Sequence, residues 1–198
     1  MGMDIYGLKP KIKGKRPEID WNKPTTEEER NKYFKKLEKF EAENVGYYFR
    51  NNVWFWRPLA NLITVLNEEW LTEEQKERLQ DNSGFEFSEE EAIKIKLSLE
   101  KAINSGWLKK AEKQWKKEAK QAELWNAQIN EQMEKLKKEA IKETAQDHII
   151  PLNYPPHLKL KWDKLWESED RTSNYPVSLK NAEEFVAFLN ECGGFKVC

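Results

Sequence analysis

From Trp107 to about Ala145 the chain runs without a single Gly or Pro and is built mainly from Glu, Lys, Ala and Gln. Residues of that kind lose little on entering a helix, so the stretch predicts one long helix. Leu108, Trp115, Ala122, Ile129 and Leu136 recur along it every seven residues, with Ala111 and Trp125 on the neighbouring seam position. That is a coiled-coil-like stripe. Glu118, Gln132 and Glu139 interrupt the second seam. Glu112 with Lys116, Glu131 with Lys135 and Glu134 with Lys138 are favourable i,i+4 pairs. A lone helix of this length is marginal in water. The stripe therefore needs a cover, and the expected one is the Thr26–Asn44 helix or a second chain.

Capping signals divide the remainder. Thr26 with Glu29, Thr72 with Gln75 and Ser88 with Glu91 are capping boxes, each opening a helix. Tyr33, Phe34, Leu37 and Phe40 follow the first at helical spacing, and Asn44 to Gly46 closes it. Pro58 is expected in the first turn of a helix through Leu59, Leu62, Ile63 and Leu66. Ser178 or Asn181 caps a last helix with Ala182, Phe185, Phe188 and Leu189 inward. Met3–Tyr6 and Phe195–Cys198 read as short strands that can pair. The prediction is a mainly α protein with a minor short β-sheet near the termini.

Charge bounds the partners. There are 34 Lys and Arg against 35 Asp and Glu, so the chain has neither a nucleic-acid coat's basic excess nor a DNA mimic's acidic one. No extended nucleic acid is expected, and any polyanion site must be local. Lys9 to Pro17 is such a locality, either a phosphate-contacting arm or a solvated linker. No apolar run approaches a membrane span. With no leader ahead of the fold, Cys192 and Cys198 are expected as free thiols in a reducing cytoplasm. The two histidines, His148 and His157, lack the partners a metal site requires, and no metal or cofactor is expected.

None of the nucleophile-elbow, phosphate-loop, dinucleotide or zinc-protease motifs occurs, so catalysis has no visible seat. One block stands out. Tyr48-Phe49-Arg50-Asn51-Asn52-Val53-Trp54-Phe55-Trp56-Arg57 interleaves two guanidiniums and two amides with five aromatic rings. If the block is extended, Arg50, Asn52 and Trp54 share a face; if it is helical, Arg50, Trp54 and Arg57 align. Arg pairs phosphates, rings stack on a base and Asn reads hydrogen-bonding edges, which suits a phosphorylated, nucleotide-like ligand. The competing reading makes the rings core and the arginines carbonyl caps. Tyr48, Arg50, Asn51, Asn52, Trp54, Trp56 and Arg57 are the candidates. Asp4 and Tyr6 join them if the first strand lies alongside. Asp81 and Asn82, in an Asp-Asn-Ser-Gly turn, are weaker ones.

The YFRNNVWFWRPL block, the opening Met1-Gly2-Met3-Asp4-Ile5-Tyr6-Gly7 and the closing Glu184–Phe195 segment resemble a family of small proteins of bacteriophages and bacterial genomes. That family has no settled function. The resemblance covers about half of the chain in separate blocks. Relative to the shorter members, this chain adds about Lys9–Gly46 and Trp107–Ala145. The expected organisation is thus a compact core domain of 1–8, 47–106 and 150–198, with 9–46 and 107–149 packed as an inserted helical lobe. The resemblance implies a phage-type accessory protein that counters host defence in the host cytoplasm. It would act as a non-enzymatic sponge for a nucleotide-derived signal or, alternatively, as an inhibitor of a host protein through the long helix. A homo-oligomer is expected. An enzyme acting on nucleotides through unpaired carboxylates is a third reading.

Overall fold

The structure, a computed structural model, describes residues 2–146 and 148–198. Among them are seven α-helices and a four-stranded antiparallel sheet, so the chain is mainly α with a minor sheet. It divides into two units, Met1–Lys110 with Val177–Cys198, and Ala111–Pro176.

The first unit holds the sheet. Strands β1 (Gly2–Gly7), β2 (Tyr48–Asn52), β3 (Phe85–Phe87) and β4 (Phe195–Val197) lie in the order β2-β1-β4-β3. The first and last strands are central neighbours, with Ile5 opposite Val197. Asp4 and Cys198 also exchange two backbone hydrogen bonds, at 2.9 and 2.8 Å. Alternation then sorts the side chains. Met3, Ile5, Phe87, Phe195 and Val197 are buried on one face. Against that face pack α2 (Val53–Leu66), α4 (Glu89–Asn104) and α7 (Leu179–Leu189), which bury Trp56, Ile63, Ile95, Leu99, Phe185 and Phe188. Phe87 stacks on Phe195 at 4.7 Å, and Trp56 and Phe195 meet Phe185 edge-on. Edge and offset contacts of this kind are the favourable ring geometries.

All three capping boxes form, on α1 (Glu27–Glu43), α3 (Glu73–Arg78) and α4. The expected start of α2 is corrected. The helix begins at Val53, because the Asn52 side chain accepts the Phe55 amide at 3.0 Å and caps it there. Pro58 lies inside the helix and does not open it. The first unit also has a point without room for side chains. A Cβ added to Gly46 would lie 2.3 Å from the Glu191 carbonyl carbon, and one added to Gly7 would lie 2.1 Å from the Gly46 oxygen.

The second unit is built on the long helix, α5 (Trp107–Thr144), whose boundaries match the predicted run. Gly106, at φ 71°, supplies the left-handed residue that separates it from α4. Of the primary stripe, Ala122, Ile129 and Leu136 are buried and Trp115 partly so, while Leu108 joins the core of the first unit. The second seam is corrected. It follows Ala119, Met133 and Ala140, four residues on from the primary positions, while Trp125 is half exposed. Spacings of three and four are equally close on a helix, so a seven-residue repeat alone leaves the second seam undecided.

The cover also differs from expectation. Within this unit α5 is held by the returning segment 148–176, which includes α6 (Pro156–Glu167). Trp115 donates to the Thr172 carbonyl at 3.0 Å and Trp125 to that of Ser168 at 2.9 Å. Asn126 exchanges two bonds with the Asp170 backbone, at 2.7 and 2.9 Å. Leu136, Ala140, Ile149, Tyr154 and Leu158 form a small apolar cluster. Residues 9–46 group with the sheet unit and 150–176 with the long helix, the reverse of the expected lobe. The returning segment carries its own apolar residues to α5, so a helix from elsewhere is not required to cover it.

Candidate functional site

The outer face of the β1–β2 pair carries the side chains that alternation turns away from the core. Asp4 stands directly opposite Arg50, and Tyr6 opposite Tyr48. The two rings lie 5.1 Å apart and tilted by 32°. The Tyr48 hydroxyl donates to the Asp4 carboxylate. Helix α1 presents Phe34, Leu37, Glu38 and Glu41 at i, i+3, i+4 and i+7, a single face. Between that face and the strands lies a cleft of about 410 Å³, lined also by Arg16, Tyr47 and Arg50.

Arg16 reaches the cleft because the basic segment 8–13 is docked along its backbone. Leu8 donates to the Gly194 carbonyl at 2.9 Å, Lys9 to Cys192 at 3.0 Å and Lys11 to Glu191 at 3.0 Å. Asn44, fully buried, takes the Lys13 amide on its side-chain oxygen. Its amide nitrogen donates to the Lys13 and Phe40 carbonyls, at 3.1 and 2.7 Å. A buried amide with its hydrogen bonds satisfied on both ends is a strong positional constraint. The Arg16 guanidinium then lies 5.5 Å above the Tyr47 ring.

Electrostatically the cleft is mixed. Burial raises the Glu41 carboxyl above the usual glutamate range, and Arg16 and Arg50 pull it back down in part. Burial also raises the Tyr48 phenol, reinforced by its bond to Asp4, and it raises Tyr6 beside the same carboxylate. Both tyrosines are therefore neutral donors at neutral pH. The arrangement offers two planar cations, three phenol rings, one phenyl ring and two carboxylates around one concavity. Such a site can pair an anion, stack a flat ring and accept from hydroxyl groups.

Of the residues expected from sequence, Tyr6, Tyr48 and Arg50 line the cleft, and Asp4 stands behind them as the acceptor of the Tyr48 hydroxyl. The others do not line the cleft. Trp56 is fully buried and donates to the Leu79 carbonyl at 2.6 Å, which makes it core. Asn52 is the α2 cap. Asn51 is buried and bonds the Asn181 side chain at 2.8 Å, fastening β2 to α7. Trp54 and Arg57 lie on the first turns of α2 and are exposed, so neither single-conformation alignment of the block with Arg50 holds. In the turn, Asp81 accepts from Ser83 at 3.0 Å and from Arg78 at 3.2 Å, and Asn82 donates to the Gly2 carbonyl at 3.4 Å.

Sequence reasoning missed Arg16, Phe34, Leu37, Glu38, Glu41 and Tyr47 as site residues. The periodicity of α1 holds the signal for four of them. Cys192 is buried and its thiol is pushed up to about 11, which leaves it unreactive. Among the described residues no group of three or more His, Cys, Asp or Glu could hold a metal ion, and no helix is long and apolar enough to cross a membrane. No family model matches the chain, and no curated protein or solved structure is measurably similar to it.

Proposed function

We propose that the protein binds a phosphorylated, nucleotide-like small molecule in the cleft between α1 and the outer face of β1–β2, without turning it over. One observation carries this reading. Arg16 and Arg50, far apart in the sequence, flank one concavity walled by Tyr6, Tyr47, Tyr48 and Phe34. Its volume of about 410 Å³ lies within the range of small-ligand sites. The guanidiniums pair phosphate oxygens, a tyrosine stacks on the base, and Glu38 or Glu41 accepts from ribose hydroxyls. The wider role is a proposal that rests on the resemblance of the blocks quoted above: a phage-type accessory protein, acting in the host cytoplasm as a homo-oligomer, that withholds a nucleotide immune signal.

The test is a thermal-shift panel of cyclic and ADP-ribose-type nucleotides on the purified chain, with chromatography of the ligand afterwards. A rise in melting temperature is expected for at least one phosphate-bearing ligand, with the ligand recovered intact. Arg16→Ala and Arg50→Ala are each expected to weaken binding about tenfold or more, as losing a charged hydrogen bond does. No shift with any phosphate-bearing ligand sinks the reading, and so does binding indifferent to both substitutions. Recovery of a cleaved product points to an enzyme.

The second reading, an inhibitor of a host protein acting through α5, is favoured by the exposure of Leu124 (61%) and Trp125 (49%) on that helix. Capture of a defined host enzyme, abolished by Leu124→Glu, distinguishes it.

A further inference from the structure

The whole chain is electrically balanced, but its charge is not evenly spread. Residues 9–39 carry eleven Lys or Arg against six Asp or Glu. The arm that begins this stretch is pinned along its backbone. Its backbone amides at Lys9, Lys11 and Lys13 are all spent on the body of the first unit. With the amides held, Lys9, Lys11 and Lys13 leave their side chains exposed. None of the three has an ion pair among the described residues.

Beyond the arm, Trp21 is 56% exposed and packs edge-on against Tyr33 at 5.7 Å, with Phe34 also close by. Tyr33 lines an open basin of about 620 Å³, together with Lys15, Lys23, Lys32 and Lys36 and the carboxylates of Glu18, Asp20 and Glu29. Lys15 and Lys23 are engaged by Glu18 and Asp20 at 3.2 and 3.1 Å. Lys32 and Lys36, one turn apart on α1, have no ion pair among the described residues. A large exposed indole held by a second ring is an unfavourable way to meet water, but it is a prepared stacking platform. Unpaired cations next to such platforms are what single-strand binding surfaces combine. A duplex hides its base faces, and a membrane surface favours rings on a convex apolar face, whereas here Tyr33 lines a polar hollow that carries four lysines.

We propose that the surface formed by the basic arm, Trp21 and α1 binds a short stretch of single-stranded nucleic acid, its phosphates on the lysines and one base on Trp21. This surface adjoins the nucleotide cleft at Phe34, which lines the cleft and packs near Trp21, but Trp21, Lys32 and Lys36 are outside the cleft lining.

The experiment is fluorescence anisotropy of a labelled single-stranded oligonucleotide of about 12 nucleotides, within the usual site size, titrated with the full chain at low and moderate salt. Saturable binding that weakens steeply with salt is expected. Trp21→Ala is expected to weaken it about tenfold, the loss of one stacked base, and Trp21→Phe to restore most of it. Lys32→Glu with Lys36→Glu is expected to flatten the salt dependence. Circular dichroism melts and the nucleotide thermal shift of these variants are expected to match the parent, so failure of the cleft and failure of this surface give different results. The proposal is overturned by absence of binding at low salt. It is equally overturned by equal affinity for a duplex of the same length with no effect of Trp21→Ala, which is general polyanion attraction. Uptake by anionic phospholipid vesicles without single-strand binding overturns it in favour of a membrane surface.

Discussion

The two units solve the same problem by different means. The first closes a sheet from four strands distant in sequence and fills it with interlocking rings, among them Trp56, Phe87, Phe185, Phe188 and Phe195. The second is a long helix held by one returning segment, through a five-residue apolar cluster and side-chain bonds to backbone carbonyls. Burial of ring surface is worth more than half-exposed hydrogen bonds, which exchange with water at small net gain. The first unit thus stands on packing, while the second stands on a few positional contacts. The candidate cleft belongs to the first, where a rigid scaffold can hold Arg50 and Tyr48 in register.

The sharpest way to break this contrast is Trp56→Ala. It removes a fully buried indole together with its bond to Leu79, and a loss of about 3–5 kcal/mol is expected in urea unfolding. A loss below 1 kcal/mol would mean that the aromatic core does not govern the first unit. Next is Gly46→Ala. The added carbon meets immovable backbone of Glu191, so about 1–3 kcal/mol is expected, with loss of ordered contacts along β1. In the second unit, Asn126→Ala deletes both bonds to Asp170 and is expected to cost about 1 kcal/mol. Faster amide exchange confined to 148–176 is its signature, and matching acceleration in β1 or β4 would show that the units do not respond separately.

The smallest effect is a matter of pH. Burial alone would raise the Glu91 carboxyl. Bonds from the Ser88 hydroxyl and amide and from the Gln75 amide outweigh it and hold the group below the usual glutamate range. A carboxyl lowered in the folded state contributes stability above its unfolded value and loses that contribution as pH falls through the folded one. Glu91→Gln is expected to reduce stability by about 0.5 kcal/mol at neutral pH, because the group is partly solvated. The variant should also show a shallower decline on acidification below the ordinary glutamate range. An unchanged acid profile would assign the α4 cap to Ser88 alone.

Local rules made much of this legible. Three capping boxes, the Gly-free and Pro-free run and the pairing of Met3–Tyr6 with Phe195–Cys198 all follow from residues close in sequence or from simple alternation. What was not legible depended on competition. Asn52 both ends β2, opposite Gly2, and caps α2, so the block is strand and helix in turn and no single periodicity describes it. The cover of α5 was misread because Lys159–Trp166 alternates apolar and charged residues, a pattern open to a short helix or a strand, and gives no sign that it packs on α5. Half of the site's chemistry was visible in Tyr48 and Arg50. The other half is set by Asn44, a buried amide that carries Lys13, and with it Arg16, to the same place. No spacing rule connects positions related only through one side chain's hydrogen bonds.

The strand order sets a sequence of events during synthesis. Among the described residues β3 pairs with β4 alone, and β4 emerges from the ribosome only after residues 111–176 have emerged. The helical unit can therefore be in place while the sheet is still waiting for its central rung. Until that rung arrives, Phe87 and the rings of α7 stay exposed to whatever chaperones attend the nascent chain.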